Sequence, residues 1–275
     1  MADAETFIEM PPAIKLGVGV PGYAIGNVAT QALLDVQHCP LVDFLAYREF
    51  TVSALTLNHN LVWCWLLNEC RAERITHGLI LHADVRPQAP HWIELLITQM
   101  FRAQADVLGC FIAIKNHLGY TSTAIDTDPW TPQRLTLMQA KRLPLTWTSD
   151  VLLINTGLML VDLRSFAGRP NVPCFGVSDA VMRDEKGNWT CRHEPEDWGF
   201  SRQLHSLGYR VFVTRAVGVE HFGIGVYPNN PVWGMSEDTD SVYAKGEILV
   251  TDSDGGEIWF RPHSTGPNGS AEASL

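Results

Sequence analysis

The chain of 275 residues has no run of basic residues, no Cys-x-x-Cys pair and no internal repeat. Its 20 Lys and Arg residues against 30 Asp and Glu give a formal net charge of -10. Coating of nucleic acid is therefore unlikely on charge grounds, because binding phosphates over a wide surface needs a positive face. The 6 cysteines are scattered and indicate neither a zinc knuckle nor a disulfide framework, so we expect reduced thiols.

Long apolar runs are also missing. No run reaches the roughly 18 residues that a membrane span needs, and the most apolar stretch is interrupted by Asn58, His59 and Asn60. The opening residues are acidic and lack the basic segment and apolar core of a secretory signal. With 46% hydrophobic and 18% charged residues, the composition is that of an ordered globular protein. We expect a soluble, cytoplasmic protein without a membrane span.

Apolar runs and helical periodicities alternate along the chain. Strands are predicted at residues 14–20, 42–47, 78–81, 107–114, 151–154, 157–161 and 210–214. Helices are predicted at residues 29–36, around 57–65 and 92–100, and through Phe200 and Leu204 to a stop at Gly208. Residues 116–132 and 168–192 lack periodicity and are expected to form long loops. This order predicts an α/β fold, with a Rossmann-like, mostly parallel sheet flanked by helices.

The last part of the chain has weaker patterns. Residues 247–250 and 257–260 flank a turn rich in Asp and Gly and predict a hairpin, and a tail of small residues follows. We therefore expect one large domain over residues 1–225 and a small C-terminal extension over residues 226–275.

Polar residues follow several predicted strands, at the sheet edge where open α/β folds bind ligands. These sets are Pro21-Gly22-Tyr23, His82-Ala83-Asp84 and Glu220-His221, while Glu196 and Asp197 open a predicted helix. Literal Asp-x-Asp triplets begin at Asp126, Asp238 and Asp252, but none follows a buried strand. We interpret the triplets as solvated turn acids and favour His82-Ala83-Asp84 by its position.

These parts, in this order, resemble the GT-A fold nucleotide-sugar glycosyltransferases of the family 2-like type, over about residues 15–223. The strand ending at Pro21 and Gly22 is similar to the family's first strand and loop, and Asn60 resembles the asparagine before its metal strand. The segment GLILHADVRP, residues 78–87, looks like the strand, Asp-x-Asp and Pro of the family. INTGLML, EDWGF and GYRV followed by VEH are similar to its acceptor strand, Glu-Asp motif and closing strand with a metal-binding histidine.

The resemblance implies a hexosyltransferase-like enzyme that uses Mn²⁺ or Mg²⁺ and moves a sugar from a UDP- or GDP-sugar to an unknown acceptor hydroxyl. The implied nucleotide-sugar-binding residues are Pro21, Gly22, Tyr23, Glu49, Asn60, His82, Ala83 and Asp84. The implied metal ligands are Asp84, His221 and His82. Asp197 is the implied base of an inverting enzyme, supported by Glu196. In a retaining enzyme, Asp197 would instead position the acceptor or the sugar. The chain departs from the family at His82, which replaces the first acid of the triplet and supplies no negative charge.

Most of these residues also have a structural interpretation. Asp197 and Glu196 can be first-turn acids, His221 a core histidine, Asp84 a turn cap, and Asn60 the partner of a neighbouring loop. Tyr23 and Glu49 rest on looser matches. Two other functions stay open: a nucleotidyltransferase, with Lys15 and the glycines of Gly17-Val18-Gly19 at the phosphates, and a non-catalytic carbohydrate- or nucleotide-binding protein, motivated by His82.

Overall fold

The computed structural model describes residues 11–22, 27–127, 131–223, 225–229, 248–251 and 257–260. Its helices are α1 (Asn27–Gln37), α2 (Leu55–Arg71), α3 (Trp92–Ala103), α4 (Leu137–Arg142) and α5 (Glu196–Ser206), with a 3-10 turn at Leu163–Ser165. Its strands are β1 (Ile14–Pro21), β2 (Val42–Phe50), β3 (His77–Leu81), β4 (Val85–Pro87), β5 (Val107–Cys110), β6 (Tyr120–Ile125), β7 (Gln133–Thr136), β8 (Thr146–Trp147), β9 (Leu152–Leu153), β10 (Leu158–Asp162), β11 (Ser178–Arg183), β12 (Trp189–Glu194), β13 (Val211–Thr214), β14 (Val219–Phe222), β15 (Val226–Pro228), β16 (Ile248–Thr251) and β17 (Glu257–Phe260).

The main sheet has seven strands in the order β2-β1-β3-β10-β5-β13-β8. The pairs β1 with β2, β1 with β3, and β5 with β13 are parallel. The pairs of β10 with β3 and with β5, and of β8 with β13, are antiparallel. The prediction of a mostly parallel sheet is therefore only partly right. The fold is α/β with a mixed sheet, because β10 is antiparallel to both of its neighbours.

Helices cover both faces of this sheet, and each face has its own apolar core. Side chains of α1 and α3 pack on one face with Leu16, Val18 and Val20 of β1. Side chains of α2, α4 and α5 belong to the second cluster, on the opposite face. Burial on both faces explains why the central strands read as nearly continuous apolar runs rather than alternating ones.

Helix α2 packs unusually close to β1, and glycine makes this approach possible. A Cβ atom at Gly19 would overlap Val62 Cγ1, and one at Gly17 would lie 2.9 Å from Leu66 Cδ2. The spacing of Leu57, Leu61, Cys64 and Trp65 predicts that these residues form the apolar face of this helix, but Leu57 and Cys64 are exposed, so the predicted face is wrong. The face of α2 that is buried in the structure consists of Asn58, His59, Val62, Trp63 and Leu66.

The two predicted long loops contain strands. Residues 120–125 form β6, which pairs with β7 and β9 in a separate three-stranded sheet. Residues 178–194 form the hairpin of β11 and β12, whose turn is held by Asp184 Oδ1 accepting from the backbone N–H groups of Lys186 and Asn188. Gly187 adopts φ +82 in that turn, a conformation that glycine adopts without steric cost.

Other predictions are confirmed. Gly208 ends the α5 region at φ +78, and β16 and β17 form the predicted antiparallel hairpin. The domain boundary after residue 225 stays a prediction, although β15 pairs with β14 and Asn229 Nδ2 donates to the carbonyl of Phe111. Within the described ranges, no helix has both the length and the apolar character required to cross a bilayer.

Candidate functional site

The carboxyl ends of β1 and β3 lie side by side at one edge of the main sheet. The parallel register pairs Gly19 with Ile80, and a Cβ atom at Gly22 would lie 3.0 Å from that of Ala83. Gly22 N–H donates to the carbonyl of Phe50 at the end of β2, which fixes the turn after Pro21. The structure therefore brings Pro21, Gly22 and the segment that begins at His82 to a common edge.

Asp84 and His221 meet because β4 pairs with β14. The antiparallel register places His221 opposite Val85, and the N–H of Phe222 donates to the Asp84 carbonyl at 2.7 Å. His221 Nδ1 lies 2.8 Å from the Ala113 carbonyl, so this nitrogen carries the proton. Nε2 of the same ring lies 3.6 Å from Asp84 Oδ2.

A cation contacts the same carboxylate oxygen. The ammonium group of Lys115 donates to Asp84 Oδ2 in a short ion pair, with both side chains partly exposed to solvent. Burial opposes ionisation of Asp84, but its contacts with His221 and Lys115 outweigh that effect and hold the pKa of Asp84 well below its ordinary value. Asp84 is therefore ionised at neutral pH.

His82 contacts helix α2 through one ring nitrogen. Its Nε2 lies 2.8 Å from Nε2 of His59, whose own Nδ1 lies 2.9 Å from the carbonyl of Leu55. Since His59 must donate from Nδ1, its Nε2 accepts the proton that His82 carries on Nε2. Burial first, and then the neighbouring His59, lowers the pKa of His82 to about 3, so this pair is neutral.

The implied divalent metal fits these residues poorly. Only Asp84 and His221 of the three implied ligands face each other, since Nε2 of His82 is engaged by His59. In the part of the chain that the structure describes, no group of three or more His, Cys, Asp and Glu side chains is arranged to hold a metal ion. An ammonium group already contacts the Asp84 oxygen that would bind it. We therefore assign no chemical step to a metal.

Asp197 is the most perturbed acid of the site. It lies in the first turn of α5, is 6% exposed, and accepts a hydrogen bond on Oδ2 from Asn155 Nδ2 at 3.0 Å. Its other oxygen, Oδ1, is buried and has no hydrogen-bond partner within the described structure. Burial, followed by the neighbouring Glu196, raises the pKa of Asp197 to about 7, while Arg134 and Asn155 act in the opposite direction. An acid in this state can exchange a proton near neutral pH.

A sharp turn between β9 and β10 connects Asp197 with the Asp84 cluster. Asn155 donates to Asp197 and accepts from the N–H of Gly157 at 2.8 Å. The Gly157 carbonyl in turn accepts from the backbone N–H of His82, also at 2.8 Å. These hydrogen bonds make one continuous edge from the acid on α5 to the segment after β3.

We expect removal of the Asn155 amide to raise the pKa of Asp197 further. The Asn155→Ala protein loses a charge-assisted hydrogen bond, which is typically worth about 1.5–3 kcal/mol, equivalent to roughly one to two pH units. The pH midpoint of any activity that needs ionised Asp197 should move upward by that amount. An Asn68→Ala variant, which changes an exposed amide on α2, is the matched control. An unchanged pH profile in Asn155→Ala would contradict the positioning role.

The remaining predicted residues lie as follows. Both polar atoms of Asn60 are paired with the backbone of Phe175, which matches the structural interpretation of this residue. Glu49 lies near the end of the edge strand β2, opposite Val20. Tyr23 lies outside the described residues, as do both later Asp-x-Asp triplets. Asp126, from the first triplet, forms an ion pair with Arg202.

Sequence reasoning did not identify Lys115, Asn155 or Arg134. Lys115 follows a predicted apolar strand directly, so the rule that selected His82-Ala83-Asp84 would have found it. Asn155 lies between two predicted strands and was open to the same reasoning. Arg134 lies 4.4 Å over the ring of Trp198, within β7, which the sequence pattern did not predict.

No protein-family model and no curated protein matches the chain. Several solved structures resemble its fold. They include A197 from STIV, with a TM-score of 0.45 and 12% identity over 94% of this chain and 100% of that one. GalNAc-T7 with UDP, GalNAc and Mn²⁺ has a TM-score of 0.45 and 14% identity over 82% of this chain and 46% of that one. HddC from Yersinia pseudotuberculosis has a TM-score of 0.30 and 8% identity over 57% of this chain and 80% of that one. At these values the likenesses identify no family.

Proposed function

We propose that the protein is a glycosyltransferase that moves a sugar from a nucleoside-diphosphate sugar to an acceptor hydroxyl, with inversion at the anomeric carbon. Asp197 acts as the general base. The edge formed by Pro21, Gly22 and the segment from His82 to Asp84 holds the nucleotide sugar. The proposal rests on the ordered motifs of the sequence together with the hydrogen-bonded edge that joins their residues.

The single observation that carries the proposal is the state of Asp197. Its carboxyl is buried, Oδ1 lacks a partner, and its pKa is raised to about 7. A first-turn acid that only stabilised the helix would gain from being ionised and exposed, because the helix dipole favours negative charge there. A buried carboxylate oxygen without a donor is an unsatisfied hydrogen-bond acceptor, and a substrate hydroxyl can donate to it.

In the proposed step, the sugar moves from the diphosphate to the acceptor oxygen. The acceptor oxygen forms a bond to the anomeric carbon and transfers its proton to Oδ1 of ionised Asp197. The bond between the anomeric carbon and the diphosphate oxygen breaks, and its electron pair leaves with the nucleoside diphosphate. Asn155 holds the other oxygen of Asp197, so the carboxylate keeps one orientation during the transfer.

The structure gives the nucleotidyltransferase alternative little support. Its candidate phosphate loop, Gly17-Val18-Gly19, lies inside β1, where both glycines contact side chains of the α2 layer instead of a ligand. Lys15 lies near the start of the same strand, at the end opposite to Gly22. A triphosphate at the carboxyl edge would therefore lack both the glycine loop and this lysine.

A panel of nucleoside diphosphates tests the proposal. A ligand that binds only the folded state raises the free energy of unfolding by about 2.7 kcal/mol when its concentration is about 100 times its dissociation constant. At roughly 2–4 °C per kcal/mol for a protein near this size, we expect a thermal shift of about 5–10 °C for one base. The corresponding nucleotide sugar should then yield nucleoside diphosphate when acceptors are supplied. Release of pyrophosphate from a nucleoside triphosphate and a sugar phosphate would instead support the nucleotidyltransferase.

A further inference from the structure

We propose that the ammonium group of Lys115 is the cation that neutralises the diphosphate of the donor, in place of a divalent metal ion. The inference rests on the proposed function and concerns how the same site handles charge. It follows from the chemistry around one atom, Oδ2 of Asp84, which the lysine contacts directly.

Lys115 lies beside two of the implied metal ligands. Its ammonium group donates to Asp84 Oδ2, and Nε2 of His221 lies 3.6 Å from the same oxygen. The His221 ring is held in this place because its Nδ1 contacts the Ala113 carbonyl at 2.8 Å. The chain therefore supplies its own positive charge at the position that a metal ion would take.

The backbone around Lys115 holds this residue in place. The N–H of Asn116 donates to the carbonyl of Ile114 at 2.7 Å, which forms a tight turn centred on Lys115. The lysine stem lies against Gly223, where a Cβ atom would come within 2.9 Å of Lys115 Cδ. Both features direct the side chain towards Asp84, at the carboxyl edge of the sheet.

The ammonium group of Lys115 has more donors than Asp84 uses. A lysine has three N–H donors and no acceptor, and Asp84 engages one of them. The remaining donors can bind phosphate oxygens, which lysine recognises as a compact positive charge. Asp84 then acts as a positioning residue for the lysine. This role also accounts for His82, since a site that holds no metal does not need a first acid in the triplet.

Nucleotide binding with and without metal tests the inference. We expect the wild-type protein to bind its nucleoside diphosphate, found by screening UDP, GDP, CDP and ADP, with the same affinity in EDTA and in Mn²⁺. In EDTA, the Lys115→Met protein should bind it about 10–100-fold more weakly, which is the loss expected for one charge-assisted hydrogen bond. Its affinity for the matching nucleoside, which has no phosphate, should not change.

Three controls keep the result interpretable. Lys115→Arg retains the positive charge and should bind more tightly than Lys115→Met, which separates charge from folding. Lys141→Met removes an exposed lysine from α4 and should bind as the wild type does. Circular dichroism on each variant checks that it is folded.

The outcomes distinguish the inference from the function. Binding by the wild type only when Mn²⁺ is present, or equal binding by Lys115→Met and wild type in EDTA, would overturn the role of Lys115 while leaving nucleotide-sugar transfer in place. If no nucleoside diphosphate binds with or without metal, the proposed function fails and the inference fails with it.

Discussion

The Asp197→Asn protein is expected to lose transfer almost completely and, at pH 8, to be more stable than the wild type. Loss of a general base typically costs 10²–10⁴-fold in rate. Asparagine can still accept the hydrogen bond from Asn155 that now goes to Asp197 Oδ2. Initial rates with the nucleotide sugar measure the first effect, and urea unfolding measures the second.

The gain in stability follows from the sign of the pKa shift. The pKa of Asp197 is raised from its ordinary 3.8 to about 7, so the folded state holds a proton that the unfolded chain releases. Asp197 therefore does not lower the free energy of unfolding below about pH 4. It lowers it increasingly as the pH rises from about 4 to about 7, and by the full amount above about pH 7. At 1.36 kcal/mol per pH unit, the full cost is on the order of 4 kcal/mol.

Two comparisons make this prediction specific. The stabilisation by Asp197→Asn should be present at pH 8 and absent near pH 4. Asp43→Asn changes an exposed acid on β2, and it should alter neither the rate of transfer nor the stability. The wild-type rate should also rise with pH through a midpoint near 7, because the base acts when ionised. A stability difference that is equal at both pH values would show that burial of the charge is not its cause.

Gly157→Ala is expected to have the second largest effect, on both stability and activity. A Cβ atom at Gly157 would lie 2.8 Å from Asn155 Oδ1, 2.8 Å from Ile112 Cδ1 and 3.4 Å from His82 Nδ1. Overpacking of this kind typically costs about 1–3 kcal/mol. The displaced Asn155 side chain would also lose its geometry towards Asp197, and a shift of about 1 Å at such a site can cost 10²-fold in rate.

Urea unfolding and initial rates check the prediction. Gly176→Ala is the matched control, because a Cβ atom at Gly176 would meet no heavy atom within 4 Å. We expect this control to unfold and react as the wild type does. A fully active Gly157→Ala protein would contradict the link between the turn and the acid on α5.

The sequence predicted the elements whose apolar residues are packed on both sides. β1, β3, β10 and β13 are buried along most of their length, so each reads as an apolar run. The sequence pattern does not predict β6, Tyr-Thr-Ser-Thr-Ala-Ile, because its hydroxyl side chains give neither an apolar run nor an apolar alternation, although most of them are buried. Thr121 in that strand is 0% exposed and donates from its hydroxyl group to the Leu135 carbonyl, a pairing that no local pattern indicates.

Helix α2 shows the same limit for a helical face. Asn58 is buried because its amide group pairs with both the N–H and the carbonyl of Val52. His59 is buried because it bonds to Leu55 and His82. Periodicity counts such residues as polar and assigns them to solvent, so it selected the wrong face. Val52 and Leu55 are near in sequence and His82 is distant, but periodicity registers none of these pairings, because it counts only the polarity of each side chain.

The site was predictable where the chain itself places a residue at a strand end, as for Asp84, or at a helix start, as for Asp197. The cation was not predicted, since the contact of Lys115 with Asp84 depends on how the segment after β5 meets the segment after β3. Likewise, the raised pKa of Asp197 depends first on the burial of its carboxyl by residues packed around the start of α5, which the local sequence does not reveal.

The position of β10 determines the order in which the molecule can assemble. This strand follows β3 and β5 in the sequence, yet in the sheet it lies between them and pairs with both. Until β10 pairs with them, β3 and β5 each have one unpaired edge. The turn that carries Asn155 and Gly157 then lacks the contacts that fix its conformation. Contacts of such long sequence separation form slowly. A refolding chain will therefore recover helical content early, and catalytic competence will return only with the slowest phase, when the centre of the sheet is filled.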